Sequence, residues 1–421
     1  MHRTFHGPGH AVDLFMARQP IFSKDLDVFA HELLFRKCEG DVCALITDFD
    51  DATNQVIADG FALATKGLGP REKISVNVGY DNILSGYVLA LPPERTILEV
   101  PSDIQADDRF FKACDELKEK GYCFLLDNFT PTCKARENGM VPLADFIKVP
   151  VDSSTGREVA RLKKELGAWR GGLVASRIES WEAFEGCRFL GFNYFQGYFF
   201  SHPKEIAGKK LPSLKAARLR LLKVLSDEEA SLGAVVDALS TDQALSVRLL
   251  QFVNSAAFCM LDGKIDSLAR AASLAGLDAI RKWATAAVLS DLDPSGRGRE
   301  LSLRTLNGAF FLSRLTDAGL TPGTAGDTLF LLGLLRNVDG LMDMKMKDIL
   351  ADMPLDESLK KALLREPREP LARYVALLDR IDANDWDHAR GLFKALGIAP
   401  RQAANAYLKA GEDTHALMSQ I

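Results

Sequence analysis

Five apolar runs in the first half of the chain each carry a polar or charged residue at or near the C-terminal end. They are 74–78 with Asn77, 97–100 with Glu99, 123–127 with Asp127, 146–149 with Lys148 and 173–176 with Ser176. They recur every 20 to 30 residues, the length of one strand-plus-helix unit. A parallel strand covered on both faces is apolar throughout. A charged or amide side chain at its C-terminal end is where a β/α barrel carries its chemistry. The pattern therefore predicts a parallel β/α architecture with a polar mouth, and a mouth that ends in a plain serine on the fifth run.

Residues 19–22 and 29–35 read as an opening pair of strands around the polar turn 23–27. An amphipathic helix is expected over 48–66, stopped by Gly67, with further helices over 109–120 and 181–189. The α/β region, 14–203, holds about 190 residues, short of the roughly 250 usual for a closed eightfold barrel. One or more units are expected to be trimmed. Pro203, Gly208 and Pro212 interrupt both periodicities, so 204–212 reads as a boundary linker and a potential hinge. Beyond it the pattern is helical. Apolar positions suit helices around 219–224, 232–239, 278–284, 327–342, 355–364 and 371–381, and Thr241–Asp242 can cap another. The expected organisation is a disordered start over 1–13, a barrel over 14–203, an all-α domain over 213–400 and a C-terminal helix or tail over 401–421.

The formal net charge of -5 argues against a nucleic-acid binder held by bulk electrostatics. The seven cysteines form no CxxC pair, which fits reduced thiols of a cytosolic protein better than a zinc site. The start of the chain lacks the layout of a signal peptide, and no apolar stretch is long enough to span a bilayer. A cytoplasmic location is expected.

Ala17-Arg18-Gln19-Pro20-Ile21-Phe22, Glu32-Leu33-Leu34-Phe35-Arg36 and Gln196-Gly197-Tyr198-Phe199-Phe200-Ser201-His202-Pro203 resemble motifs of EAL domains, the cyclic di-GMP phosphodiesterase barrels. Asp242-Gln243-Ala244-Leu245, the stretch 249–258 containing Asn254-Ser255-Ala256-Ala257-Phe258, Ile265-Asp266-Ser267-Leu268, Leu332-Gly333-Leu334-Leu335 with Asp339, and Met353-Pro354-Leu355 resemble the HDOD domain. The resemblance implies that Glu32, Asn77, Glu99 and Asp127 are ligands of a first metal, that Lys148 stands beside the reactive water, and that Glu179 and Gln196 are further site residues. It implies nucleotide contacts at Gln19, Arg36 and Gln196.

The family's pattern is broken in several places. Its second aspartate is Asn128, a neutral ligand that holds a small dication less well. Its general base is Ser176, a hydroxyl that cannot take a proton at neutral pH. The aspartate after the lysine is Pro150, and the loop glycines are replaced by Phe129-Thr130-Pro131-Thr132. The retained residues thus read as vestigial, with no catalytic residue and no required cofactor expected. One magnesium or manganese ion at a single vestigial site is left open.

The helical half has no histidine between 203 and 387, which excludes an imidazole-based metal site there. Asp242 reads as a first-turn acid and Asn254–Ser255 as a helix end and cap. Lys209, Lys210, Lys215, Arg218, Arg220 and Lys223 form the most basic stretch, read as a solvated face or a docking site for an acidic partner. The whole reads as a degenerate EAL barrel joined to an HDOD domain, acting in signal transduction through protein partners. Retained binding of cyclic di-GMP and a homodimer are both left open. The alternatives are a weak metal-dependent phosphodiesterase and a ligand-free adaptor. No nucleic-acid partner and no membrane span are expected.

Overall fold

In a computed structural model, residues 13–39, 42–45, 65, 68–69, 71–130, 133, 139–152, 156–167, 169–204, 213–227, 229–242, 245–249, 276–351, 353 and 355–419 are described. For 13–17, 35–39, 42–45 and 213–216 this holds for the backbone alone. The expected helix over 48–66, the Asn254–Ser255 stretch, Lys209 and Lys210 lie outside the described residues. So does the expected N-terminal disorder, apart from Asp13, which opens a strand. The chain divides into two compact units, Met1–Phe200 with Asp382–Arg390, and Ser201–Ile381 with Gly391–Ile421.

The first unit is built on nine strands: β1 (Asp13–Ser23), β2 (Val28–Glu39), β3 (Val42–Leu45), β4 (Lys73–Asn77), β5 (Thr96–Pro101), β6 (Cys123–Asp127), β7 (Phe146–Pro150), β8 (Gly172–Ile178) and β9 (Tyr194–Gly197). Their order is β1-β9-β8-β7-β6-β5-β4-β2-β3, and an additional β1–β2 pairing closes eight of them into a barrel. β1 is antiparallel to both neighbours, and the remaining barrel strands pair in parallel. The expectation of a trimmed barrel is thereby corrected: the strand complement is full. The saving in length comes from the connections. β1 and β2 are joined by a hairpin, where parallel neighbours would need a crossover of a dozen or more residues. The β6–β7 connection holds, among its described residues, only the four-residue helix Met140–Leu143.

Strand alternation divides the barrel interior into two levels. Ile21, Ala30, Ile97, Leu125 and Val174 form one buried cluster, with Phe29, Cys123, Phe146 and Tyr194 packed against it. Two residues further along, on the same strand face, stand Glu32, Glu99, Asp127, Lys148, Ser176 and Gln196. β1 runs the other way, so its polar member Gln19 precedes Ile21. The apolar level fills the barrel, and the polar level makes its mouth. Outside the barrel, Asp108–Glu119 is capped by Asp107, which accepts from Phe110 N at 2.9 Å, and Trp181–Phe189 by Ser180, which accepts from Ala183 N at 3.2 Å.

The second unit is all-helical among the described residues. Its centre is the 22-residue helix Gly296–Asp317, to which the sequence reading assigned no element because three glycines and four arginines blur its apolar face. Gly333 of the helix Gly326–Leu335 lies against it: a Cβ there would stand 2.5 Å from Ala309 Cα. Tyr407 of the helix Pro400–Met418 meets Phe311 with ring centroids 5.5 Å apart. That last helix buries Ala403, Ala404 and Ala410 within the second unit.

The expected single helix over 327–342 is two helices, Gly326–Leu335 and Val338–Met342. Buried Asn337 leaves the helical conformation and donates to Thr305 Oγ1 at 3.3 Å. The unit also takes in the residues just past the barrel. Arg297, almost wholly buried, donates to His202 O at 3.1 Å and Gly340 O at 2.8 Å, and Asp343 Oδ1 accepts from Lys204 N at 2.9 Å.

The basic stretch does not lie wholly in solvent. Arg218 donates to Asp291 O at 2.8 Å and Arg248 to both Asp291 carboxylate oxygens at 2.9–3.0 Å, while Arg220 is exposed. Asp242 accepts from Leu245 N at 3.1 Å, the bond of a helix cap, which the sequence reading offered for Thr241–Asp242 beside that of a first-turn acid.

Replacing Gly333 by alanine is expected to destabilise the helical unit by about 1–3 kcal/mol, because backbone atoms of the neighbouring helix must move; denaturant unfolding followed by circular dichroism measures it. Asp339 gives a pH signature. Burial pushes its carboxyl up to about 6, against the opposing charge of Arg365. A carboxyl raised on folding favours the folded state below its unfolded pKa, and that contribution is lost as pH rises through about 6. Asp339→Asn is therefore expected to stabilise the protein at pH 7–8 by about 1–3 kcal/mol, discounted for partial exposure, and to flatten the pH dependence between about 4 and 6.

Candidate functional site

The barrel mouth holds one cation among three carboxylates. Lys148 Nζ donates to Glu32 Oε2 at 2.9 Å and to Glu99 Oε1, and lies 3.7 Å from Asp127 Oδ1. Glu99 is fully buried, Glu32 and Lys148 nearly so, and only Asp127 reaches solvent substantially. The remaining lone pairs are taken by neighbours. Ser75 Oγ donates to Glu99 Oε2 at 2.7 Å, Asn77 Nδ2 to Glu32 Oε1 at 3.1 Å, and Gln196 Nε2 to Glu32 Oε2 at 2.6 Å and to Gln19 Oε1 at 3.1 Å. The strand register sets this convergence: Gln19 faces Glu32, Glu32 faces Ser75, and Asn77 faces Glu99 across adjacent strands.

The electrostatics follow from these contacts. Burial works against ionised Glu32, but the Lys148 charge and the hydrogen bonds from Lys148, Gln196 and Asn77 outweigh it and hold the carboxyl below its usual range. For Glu99, burial and then the neighbouring Glu32 charge prevail over Lys148, and the carboxyl is pushed up to about 8. Burial disfavours the Lys148 ammonium, yet Glu32, Glu99 and Asp127 together hold it well above the usual lysine range. Three carboxylates facing one ammonium leave excess negative charge whenever all are ionised, which adds to burial in raising the Glu99 carboxyl.

Of the residues singled out in the sequence, the structure brings together Gln19, Glu32, Asn77, Glu99, Asp127, Lys148 and Gln196. Ser176 lies buried at the end of β8, where its Cα partner is Pro150. Glu179 is exposed beyond β8 and is not among the partners of the cluster. Asn128 is exposed too, with a backbone φ of 51°; the left-handed conformation suits asparagine, and its carbonyl accepts from Ser102 Oγ at 2.8 Å. Arg36 is placed by its backbone in β2, four residues past Glu32. Ser75 was missed by the sequence reading. Its signal was its place two residues before Asn77 on the same face of β4.

The donors suit a hard dication: Glu32, Asn77, Glu99 and Asp127 all offer oxygen, and their charge exceeds what Lys148 neutralises. Lys148 Nζ lies among the three carboxylates. Among the described residues no group of three or more His, Cys, Asp or Glu side chains is set to hold a metal ion. Lys148→Met is expected to destabilise the barrel at pH 7 by about 3–5 kcal/mol, since it strands buried carboxylates. Without the ammonium, their folded pKa values rise above the unfolded ones, so the deficit to the wild type narrows as pH falls towards 4. Thermal unfolding of both proteins across pH measures this.

Comparison with known proteins places these features. The chain is 28% identical over 411 residues to the uncharacterized protein YuxH of Bacillus subtilis, covering 96% of this chain and 99% of that one. It is 29% identical over 377 residues to the cyclic di-GMP phosphodiesterase CdgJ of Vibrio cholerae, covering 88% and 85%. Among solved structures, an EAL domain protein of Listeria monocytogenes matches with a TM-score of 0.38 at 19% identity, over 45% of this chain and 87% of that one. Among the described residues no helix is long and apolar enough to cross a membrane. Residues 211–354 match the HDOD domain model, and the chain therefore joins a closed eight-stranded β/α barrel to an HDOD domain.

Proposed function

We propose that this is a signalling protein whose barrel binds without efficient turnover, and whose HDOD domain offers a second surface to a protein partner. The observation that carries the reading is Ser176 at the end of β8. The resemblance to EAL enzymes puts the general base there, and a serine hydroxyl holds its proton at neutral pH. Loss of a positioned base removes about 10²- to 10⁴-fold of rate. A magnesium or manganese ion, held by Glu32, Asn77, Glu99 and Asp127, would supply Lewis-acid activation of water. The chain's own groups would then orient a phosphodiester through Gln19, Gln196 and Arg36 but would lack an acceptor for the water's proton. Lys148 competes with any such ion for the same carboxylates.

A weak, metal-dependent phosphodiesterase is the second reading, favoured by the name of the Vibrio cholerae relative. Calorimetric titration with cyclic di-GMP, with and without magnesium, separates the two when paired with a turnover assay on the same sample. Saturable binding that is lost in Arg36→Ala, with no hydrolysis, is the expected result. Metal-dependent hydrolysis abolished by Glu32→Ala would establish the weak enzyme instead. No binding heat at high micromolar nucleotide would leave the barrel as a ligand-free adaptor.

A further inference from the structure

β2 and β3 pair antiparallel in the register Arg36↔Leu45, Lys37↔Ala44, Cys38↔Cys43, Glu39↔Val42. Two of the chain's seven cysteines thus stand directly opposite one another on neighbouring strands. β2 ends at Glu39 and β3 begins at Val42, so only Gly40 and Asp41 join them. Directly opposed residues of an antiparallel pair have Cα atoms about 4.5 or 5.5 Å apart, depending on whether they exchange hydrogen bonds. A disulfide spans about 4.4–6.8 Å between Cα atoms, so either kind of pair meets its distance requirement. β3 is also the last strand in the sheet order, leaving one side of this hairpin without a neighbouring strand among the described residues.

Cys114, Cys123, Cys133 and Cys187 are free and at least partly buried. Burial pushes the Cys114 thiol up to about 12, the Cys187 thiol up to about 11, and raises that of Cys123. The thiolate is the attacking species in disulfide exchange, so these thiols react slowly.

We propose that Cys38 and Cys43 are a reversible dithiol–disulfide site, oxidised by a low-molecular-weight disulfide. One cysteine thiolate attacks the small disulfide, forming a mixed disulfide and releasing one small thiolate. The second cysteine thiolate attacks the protein sulfur of that mixed disulfide, closing the Cys38–Cys43 bond and releasing the other small thiolate. The protein loses two electrons and two protons, and the small disulfide becomes two thiols. Disulfides of intracellular proteins are mostly transient and redox-sensing, and this one would fix β3 on β2 two residues from Arg36.

The test equilibrates the full-length protein with reduced and oxidised glutathione at graded ratios, traps free thiols by alkylation, and maps peptides without reduction. Cys38 and Cys43 are expected to lose alkylation together, to appear in one linked peptide, and to recover with dithiothreitol. The linked fraction at a fixed glutathione ratio should correspond to an equilibrium constant about tenfold or more above that of the urea-unfolded chain, because the register raises the effective concentration of one thiol at the other. Cys38→Ser and Cys43→Ser should each leave the remaining cysteine as a glutathione adduct or alkylated, with no new intramolecular link. The proposal is overturned if both cysteines stay alkylated in oxidised glutathione while the protein remains folded, if either links instead to another cysteine or another chain, or if folded and unfolded chains close the bond equally.

Discussion

One lysine inside a barrel of carboxylates sets the terms for this molecule's first unit. An isolated buried ammonium would be strongly disfavoured, and so would Glu32 and Glu99 left without it. Each is tolerable because β2, β5 and β7 bring the three together across the barrel mouth to hydrogen-bond distance. The surrounding amides and hydroxyl complete the set, with Gln196 and Asn77 on Glu32 and Ser75 on Glu99. Such a network specifies one strand register, because a slip of one residue would turn every one of these groups out of the mouth.

The same network bears on chemistry. A barrel mouth with excess negative charge attracts cations, and the first cation to answer is the chain's own. Lys148 answers part of that charge, while burial and the neighbouring Glu32 hold the Glu99 carboxyl above the usual range. Ser176 stands in the same mouth, buried opposite Pro150.

The helical unit is held together differently. Its packing relies on close helix contacts such as Gly333 against Ala309 and on buried arginines that collect carbonyls and carboxylates. Arg336 is fully buried and donates to Asp379 at 3.2 Å; Arg365 reaches the same carboxylate at 2.8 Å. Arginine suits these positions because its planar fork meets several acceptors at once and keeps its charge when buried. Such anchors leave no periodic signal, since their apolar neighbours, not they, set the helical stripe.

The sequence alone determined the strands whose apolar runs end in a polar residue, and with them the polar positions those strands contribute to the mouth. Period-two alternation is a local property, and it put Glu99, Asp127, Lys148 and Ser176 at equivalent positions. Tertiary structure decided what local patterning cannot carry. Whether 190-odd residues close into eight strands depended on β1 meeting both β2 and β9, a contact between segments far apart in the chain. The role of Ser75, the exposure of Asn128 and Glu179, and the long helix Gly296–Asp317 were settled only by neighbours brought in from elsewhere. The facing of Cys38 and Cys43 is of the same kind: five positions apart in the sequence, they become opposites only once β3 folds back on β2.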